Sequence, residues 1–495
     1  MPSDPRSPLS PRTVPGGTWP PAPRAVGVVA RLRSRLMRAV RPLRPSSVPS
    51  VRTWAKPPQL LVGGFALVIL VGTALLSLPA ATAGPGAAPP LTALFTSTSA
   101  VCVTGLIVVD TPVYWSTFGQ WVILGLIQIG GFGIMTLATV LSLLVTRRVR
   151  LRMQLRAGVE TKSVTLGEVR QLLLGILQVT VIFEVLLTAV LAARLVLAYG
   201  EPPLHGLRLG LFHAVSAFNN AGFALYSDSM ESFATDPWIT VPIALAEIAG
   251  GLGFPVWGEL YRRARRRGEP HHWTLHAKIT MVTTAVLLAA GWAGFLLLEW
   301  RNPDTMGPLS LGGKILTGFF QTVMPRTAGF NSLPFGDMHT QTLFMTDMLM
   351  FVGGGSAGTA DGIKVTTFAL LAFVIYANVR GESSVHVARR RLTEGVIQQA
   401  ITVVLLAIGL IFTATMALMT ITPFTLDQIL FEVISAFSTV GLSTGITGDL
   451  SPPGEVIVIV LMFTGRLGPI TVATALALRR RSRRFEYPQE RPIVG

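Results

Sequence analysis

The sequence predicts an all-α membrane protein of four tandem repeats. Each repeat is an outer helix, a re-entrant helix closed by a loop, and an inner helix, gathered about a pseudo-fourfold axis. Three observations predict this. The 495 residues are 50% hydrophobic and only 13% charged, with a mean hydropathy of +0.56, where soluble domains carry roughly 25% charged residues. Arginine clusters recur between apolar stretches. One glycine-anchored pattern occurs four times.

Taken in chain order, residues 1–56 hold eleven basic residues against the single Asp4 and are rich in Pro and Ser, which predicts a disordered basic tail. The run RLRSRLMRAV also fits a short amphipathic helix on anionic lipid, at about 1 kcal/mol per basic residue near the surface. The stretch lacks the uncharged core of a signal peptide. The repeats are then expected at 57–156, 157–268, 269–391 and 392–478, with a cytoplasmic tail at 479–495.

Their orientation follows from charge. Arg147, Arg148, Arg150, Arg152 and Arg156 form one cluster, and Arg262, Arg263, Arg265, Arg266 and Arg267 a second. Arg389, Arg390 and Arg391 form a third, and Arg479, Arg480, Arg481, Arg483 and Arg484 a fourth. The connections between them carry acids such as Asp110, Asp228, Glu231 and Asp449. The positive-inside rule puts the arginines in the cytoplasm, and with them both ends of the apolar core. A net charge of +16 placed this way argues for a membrane and against nucleic acid.

The repeats align as FTSTSAVCVTGL, FHAVSAFNNAGF, FFQTVMPRTAGF and FEVISAFSTVGL, ending on Gly105, Gly222, Gly329 and Gly441 plus one apolar residue. Phe95, Phe212, Phe319 and Phe431 each lie ten residues before the glycine, and three copies share Ser-Ala at one offset. Apolar spans precede them at about 58–80, 171–199, 275–299 and 396–420, and follow at about 118–146, 237–260, 340–378 and 454–478. Each approaches the ~20 residues that cross a ~30 Å hydrocarbon core, so eight spans are expected.

The segment before each glycine, about 10 to 14 residues of mixed apolar and small polar character, is short for a crossing and suits a re-entrant helix. Backbone that is not helical cannot face lipid, because each unpaired amide there costs several kcal/mol. These stretches are therefore expected to line water or an ion path. Glycine admits backbone angles closed to other residues, and four such stretches around one axis offer a ring of carbonyl oxygens to a monovalent cation. The helices before them aim their negative C-terminal ends at the membrane centre. The plainer alternative is that the glycines only let helices pack closely.

The second span of each unit has its own glycine cluster: QIGGFGIMT, EIAGGLGFP, FVGGGSAGTADGIKVTT and FTGRLGPIT. Close packing accounts for the first two. The third differs: Gly353, Gly354, Gly355, Ser356, Ala357, Gly358, Thr359, Ala360, Asp361 and Gly362 include five glycines and no large side chain. A helix through it loses about 1 kcal/mol per glycine, so a break is expected there. Lys364 follows it, and Arg466 stands at the equivalent level of the fourth unit. Each costs on the order of 2.5 to 3.5 kcal/mol at a helix centre, so they are expected to serve a gating loop, with Arg466 partnering its carbonyls or Asp361. The alternative pairs a snorkelling Lys364 with Asp361. The run reads G-I-K where a phosphate-binding loop needs G-K-[ST].

VTGL at 103, SAFNNAGF at 216, PRTAGFN at 325 and SAFSTVGLS at 435, with QIGGFGIMT and GRLGPIT, resemble the superfamily of Trk, Ktr and plant HKT potassium transporters, nearest its Ktr-type membrane subunit. The resemblance spans about residues 57–495. It implies potassium uptake by a homodimer whose subunits each hold a pore, regulated by a cytosolic ring of nucleotide-binding RCK subunits, in a bacterial plasma membrane. Sodium commonly stimulates such systems, and no organic cofactor is implied in this chain. The family's filter positions carry over onto Val103, Thr104 and Gly105; Asn220, Ala221 and Gly222; Thr327, Ala328 and Gly329; and Thr439, Val440 and Gly441. Its gate carries over onto Gly353–Gly362 and its basic pore residue onto Arg466. Two positions depart from the pattern: Asp361 stands where glycine is usual, and Cys102, the single cysteine, stands where a hydroxyl or other small residue would serve.

His213 and His276 read as packing or surface residues. Among Glu184, Glu247 and Glu299, Glu247 is the one that opens a glycine cluster and the best placed to face a cavity. An intramembrane enzyme would need a nucleophile and base at one depth, and no such motif occurs. A carrier of inverted repeats is disfavoured because all four units share one orientation.

Overall fold

The computed structural model describes residues 57–133, 166–265, 273–382, 384–388, 390–468 and 471. The expected N-terminal tail, the first and fourth arginine clusters, parts of the second and third, and the C-terminal tail lie outside the described residues.

The chain begins with α1 (Pro57–Leu76), α2 (Pro90–Val101) and α3 (117–133). It continues with α4 (Leu166–Tyr199), α5 (Pro203–Phe218), and the bent pair α6 (Pro237–Leu252) and α7 (Phe254–Arg265). Next come α8 (Leu275–Glu299), α9 (Leu311–Val323), α10 (Thr340–Phe351) and α11 (Val365–Val379). A two-stranded antiparallel pair at His386–Val387 and Arg390–Arg391 leads to α12 (Glu394–Ile421), α13 (Leu426–Ser438) and α14 (Pro452–Leu467).

Local chemistry sets the starts of these helices. Pro stands in the first turn of α2, α5, α6 and α14, where its missing N–H costs nothing. Ser310 Oγ accepts from the Gly313 amide at 3.2 Å to open α9, and Thr274 Oγ1 accepts from Ala277 at 3.2 Å to open α8.

Among the described residues, α4 from Leu173, α8 and α12 are long and apolar enough to cross a membrane, and α6 with α7 makes a fourth if its bend is spanned. Of the eight expected spans, those at about 118–146 and 454–478 run beyond the described residues. The run at 340–378 is interrupted where the glycines predicted a break, between Phe351 and Val365. The run at 237–260 bends by 99°, where close packing alone was expected. Its cause is Gly253, at φ +90°, a backbone angle that ends a helix. A methyl group there would meet the Ser356 carbonyl at 2.6 Å, so the bend admits the broken segment of the neighbouring unit.

Burial is inverted relative to a soluble bundle. In the apolar window of α8 only 11% of residues are buried, and Val282, Val286 and Leu297 are exposed. In the short α13, Glu432, Ser435 and Ser438 are all buried. Outward leucines and inward hydroxyls are what hydrocarbon demands of a helical protein. The short helices α2, α9 and α13 have 12, 13 and 13 residues as expected, and α5 has 16. Phe95, Phe212 and Phe431 are buried, but in the third unit Phe320 is the fully buried ring and Phe319 only half-buried.

Candidate functional site

Each of the four glycine segments departs from its short helix in the same way. The residue two before the glycine takes a positive φ: Val103 at +54°, Asn220 at +59°, Thr327 at +89° and Thr439 at +51°. The glycines follow at +90°, +69°, +76° and +94°. A β-branched residue in this region costs on the order of 1–3 kcal/mol and persists only where its surroundings hold it. Here the Thr104, Ala221 and Val440 amides donate back to the carbonyls of Ser99, Ser216 and Ser435, each at 2.8 Å.

The segments close on one another. A methyl group at Gly105 would lie 2.5 Å from the Ala221 carbonyl oxygen, and one at Gly222 would lie 2.5 Å from that of Ala328. Gly329 meets the Val440 carbonyl in the same manner, and Gly441 meets that of Thr104. The circuit returns to its start with the glycine Cα of the next segment 2.9 to 3.1 Å from each added carbon. Of the twelve residues that the sequence singled out, the four glycines and Thr104, Ala221, Ala328 and Val440 make these contacts, and Val103, Asn220, Thr327 and Thr439 directly precede them with positive φ.

On one side the circuit floors a cavity of about 260 Å³, whose lining includes Gly105, Gly222, Gly329 and Gly441 below and Asp110, Asp228, Glu231, Asn331 and Ser443 around. Burial and the neighbouring Asp228 push the Glu231 carboxyl above its ordinary range, against an opposing hydrogen bond from Asn331 Nδ2 at 2.6 Å.

The opposite side is covered by the segment between α10 and α11. Thr359 Oγ1 donates to Asn220 Oδ1 at 2.6 Å, and Thr439 Oγ1 donates to Asp361 Oδ2 at 3.1 Å. Arg466, its side chain inaccessible, donates to the Thr359 carbonyl at 2.9 Å, to the Gly130 carbonyl at 2.8 Å and to Asp361. Lys364 Nζ donates to the Ala360 carbonyl at 2.6 Å and lies 3.5 Å from Asp361. The loop thus carries both expected pairings at once, with Asp361 between two cations.

Two features were not anticipated. Arg326, inside PRTAGF, is buried and donates to the Gly353 carbonyl at 3.0 Å and to Thr284. Glu247, which the sequence placed best to face a cavity, lines a small one with it, and its carboxyl oxygens have no hydrogen-bond partner among the described residues. The signal for Arg326 was present in the third segment, where it is the one charged residue. The loop is also bound to the Gly253 bend, through Gly355 N to the Gly251 carbonyl at 2.8 Å and Phe254 N to the Ala357 carbonyl at 3.2 Å.

The remaining candidates take structural places. Cys102 is fully buried at the end of α2. The His213 ring lies within hydrogen-bond distance of the Leu209 carbonyl at 2.8 Å and accepts from the Leu225 amide at 3.1 Å. His276 is half-buried near the start of α8. Glu184 accepts from Asn219 Nδ2 at 3.1 Å. Glu299 ties the end of α8 to the start of α10 by accepting from the His339 amide at 3.0 Å and from Thr342 Oγ1.

An apolar-clad helical protein with a strained backbone circuit at its centre, open to a cavity on one side, belongs to the class of membrane transport proteins. Residues 67–486 match the family model TrkH, cation transport protein, and the chain belongs to that family. It is 40% identical over 442 residues to the Ktr system potassium uptake protein B of Bacillus subtilis (strain 168), covering 89% of this chain and 97% of that protein. It is 34% identical over 453 residues to the potassium/sodium uptake protein NtpJ of Enterococcus hirae, covering 90% and 98%. The fold is similar to that of the potassium transporter TrkH from Vibrio parahaemolyticus, with a TM-score of 0.64 over 84% of this chain and 85% of that one at 18% identity.

Proposed function

We propose that this chain takes up potassium across a bacterial plasma membrane, through a central pore whose selectivity filter is the circuit of Val103–Gly105, Asn220–Gly222, Thr327–Gly329 and Thr439–Gly441. The observation that carries the reading is the closure of the four segments, each glycine facing the next segment's carbonyl. A ring of backbone oxygens replaces the hydration shell of a monovalent cation without side-chain charge. The relatives named for potassium uptake support that cargo. The potassium/sodium name of the Enterococcus relative supports sodium as a second ion or a stimulator.

In this reading the four units at 57–156, 157–268, 269–391 and 392–478 surround the pore, α2, α5, α9 and α13 are its re-entrant helices, and both termini are cytoplasmic. The loop Gly353–Gly362 is the gate. It closes the inner face of the filter by the bonds of Thr359 to Asn220 and of Asp361 to Thr439, and Arg466 holds it there. Two relatives are named as protein B of a Ktr system, which supports partner subunits, and the resemblance supplies their form here: a homodimer seated on a cytosolic nucleotide-binding RCK ring, which moves the gate.

Purified full-length protein in liposomes tests this. With a potassium gradient and no proton gradient, passive potassium flux exceeding sodium flux is expected. Flux that demands a proton gradient, or that does not distinguish the two ions, contradicts the pore.

A further inference from the structure

The Ser-Ala pair shared by three units still lacks a role. Ser99, Ser216 and Ser435 lie six residues before Gly105, Gly222 and Gly441, and all three are fully buried. Their carbonyls do the same thing, each accepting from the amide five residues on. Their hydroxyls do not. Ser99 Oγ accepts from the Gly105 amide and Ser435 Oγ from the Gly441 amide, both at 3.1 Å. Ser216 Oγ has no hydrogen-bond partner among the described residues. The third unit has Val323 at this position, and there the Met324 carbonyl takes both amides, Ala328 at 3.1 Å and Gly329 at 3.4 Å. The glycines divide in the same way: φ is +90° and +94° where serine holds the amide, and +69° and +76° where it does not.

The planarity of the peptide bond gives the hydroxyl its effect. The Gly105 N–H and the Thr104 carbonyl belong to one trans unit and point in opposite directions. An acceptor fixed behind the N–H therefore turns the carbonyl away from the wall and toward the neighbouring segment, where Thr104 O meets Gly441. The same holds for Val440, whose carbonyl meets Gly329. Two serines thus brace two adjacent corners of the circuit, and at the other two no serine hydroxyl holds the glycine amide among the described residues.

We propose that Ser99 and Ser435 are positioning residues for potassium-over-sodium selection, each holding two consecutive filter peptides, one by its carbonyl and one by its hydroxyl. The proposal rests on the filter reading given above. A corner braced from behind keeps its oxygen at the distance of the larger ion, whereas a loosened one follows a smaller ion inward.

The test uses full-length protein in liposomes, with the potassium-to-sodium flux ratio as one readout. The second is the thermal stabilisation of the purified protein by potassium against that by sodium, which needs no transport. Ser99→Ala and Ser435→Ala are each expected to lower both ratios roughly two- to tenfold, the factor by which one neutral hydrogen bond shifts an equilibrium. Ser216→Ala, the same change at a hydroxyl without a partner among the described residues, is expected to leave them unaltered. Gly222→Ala reports on the filter itself, since its methyl would lie 2.5 Å from the Ala328 carbonyl oxygen. Unaltered ratios in both serine variants with a loss in Gly222→Ala would overturn the bracing role and leave the filter standing. A loss in Ser216→Ala equal to theirs would overturn it too, because packing would then explain all three. Unaltered ratios in Gly222→Ala would remove the filter reading and the bracing role together.

Discussion

A single methyl group at Gly105 is expected to damage ion discrimination without damaging the fold. Gly105 sits at φ +90°, and an L side chain in the left-handed region costs about 1–2 kcal/mol. The new carbon would also stand 2.5 Å from the Ala221 carbonyl oxygen and 3.1 Å from the Gly222 Cα. An ordinary carbon-to-oxygen contact is about 3.3 Å, so that oxygen must retreat by about 0.8 Å. A fall in the potassium-to-sodium ratio on the order of tenfold, equivalent to about 1.4 kcal/mol of preference, is the expected outcome. Gly63→Ala and Gly64→Ala are the controls, because a methyl group at either site meets nothing within 4 Å and alanine favours the helix by up to about 1 kcal/mol. Rubidium uptake with sodium competition in cells lacking other potassium uptake reads the ratio. Gly105→Ala with wild-type discrimination at wild-type protein levels refutes the reasoning.

Three further outcomes are expected. Removing Gly354 and Gly355 takes away the Gly355–Gly251 bond and shortens the loop that covers the filter, so rubidium uptake should rise. A fall in uptake at unchanged protein levels assigns the loop a supporting role instead. The Glu231 carboxyl is raised by burial and Asp228, so as external pH falls it takes up its proton above the ordinary carboxylate range. Uptake at low potassium should decline there as the vestibule loses negative charge, and Glu231→Gln should flatten that limb of the pH profile. Cys102 is fully buried, so membrane-impermeant maleimides should neither label the folded protein nor slow transport, and mass spectrometry of the treated protein measures the labelling.

The four glycine segments were legible because each is anchored by a residue the backbone requires: no other residue adopts the angles of Gly105, Gly222, Gly329 and Gly441 so cheaply, and the pattern shows in the letters. The break after Phe351 was legible for the same reason, as five glycines in ten residues do not hold a helix. The bend at Gly253 was not. GGLGFP reads equally well as a packing surface, and what makes it a bend is the arrival of Ser356 from a segment about a hundred residues away. Arg326 was hidden by the strength of its own motif, since PRTAGF was already explained by its glycine. Its acceptor, the Gly353 carbonyl, is fixed only by tertiary structure. The same limit hid the serines: Ser-Ala recurs three times in the sequence, but only geometry separates the two hydroxyls that hold a filter amide from the one that does not.

The most direct measurement is the anomalous scattering of protein crystallised in rubidium or thallium in place of potassium. A peak on the axis of the circuit, at coordination distance from carbonyl oxygens of all four segments, is the expected result. A peak held by side-chain carboxylates elsewhere, with no density inside the circuit, contradicts the account.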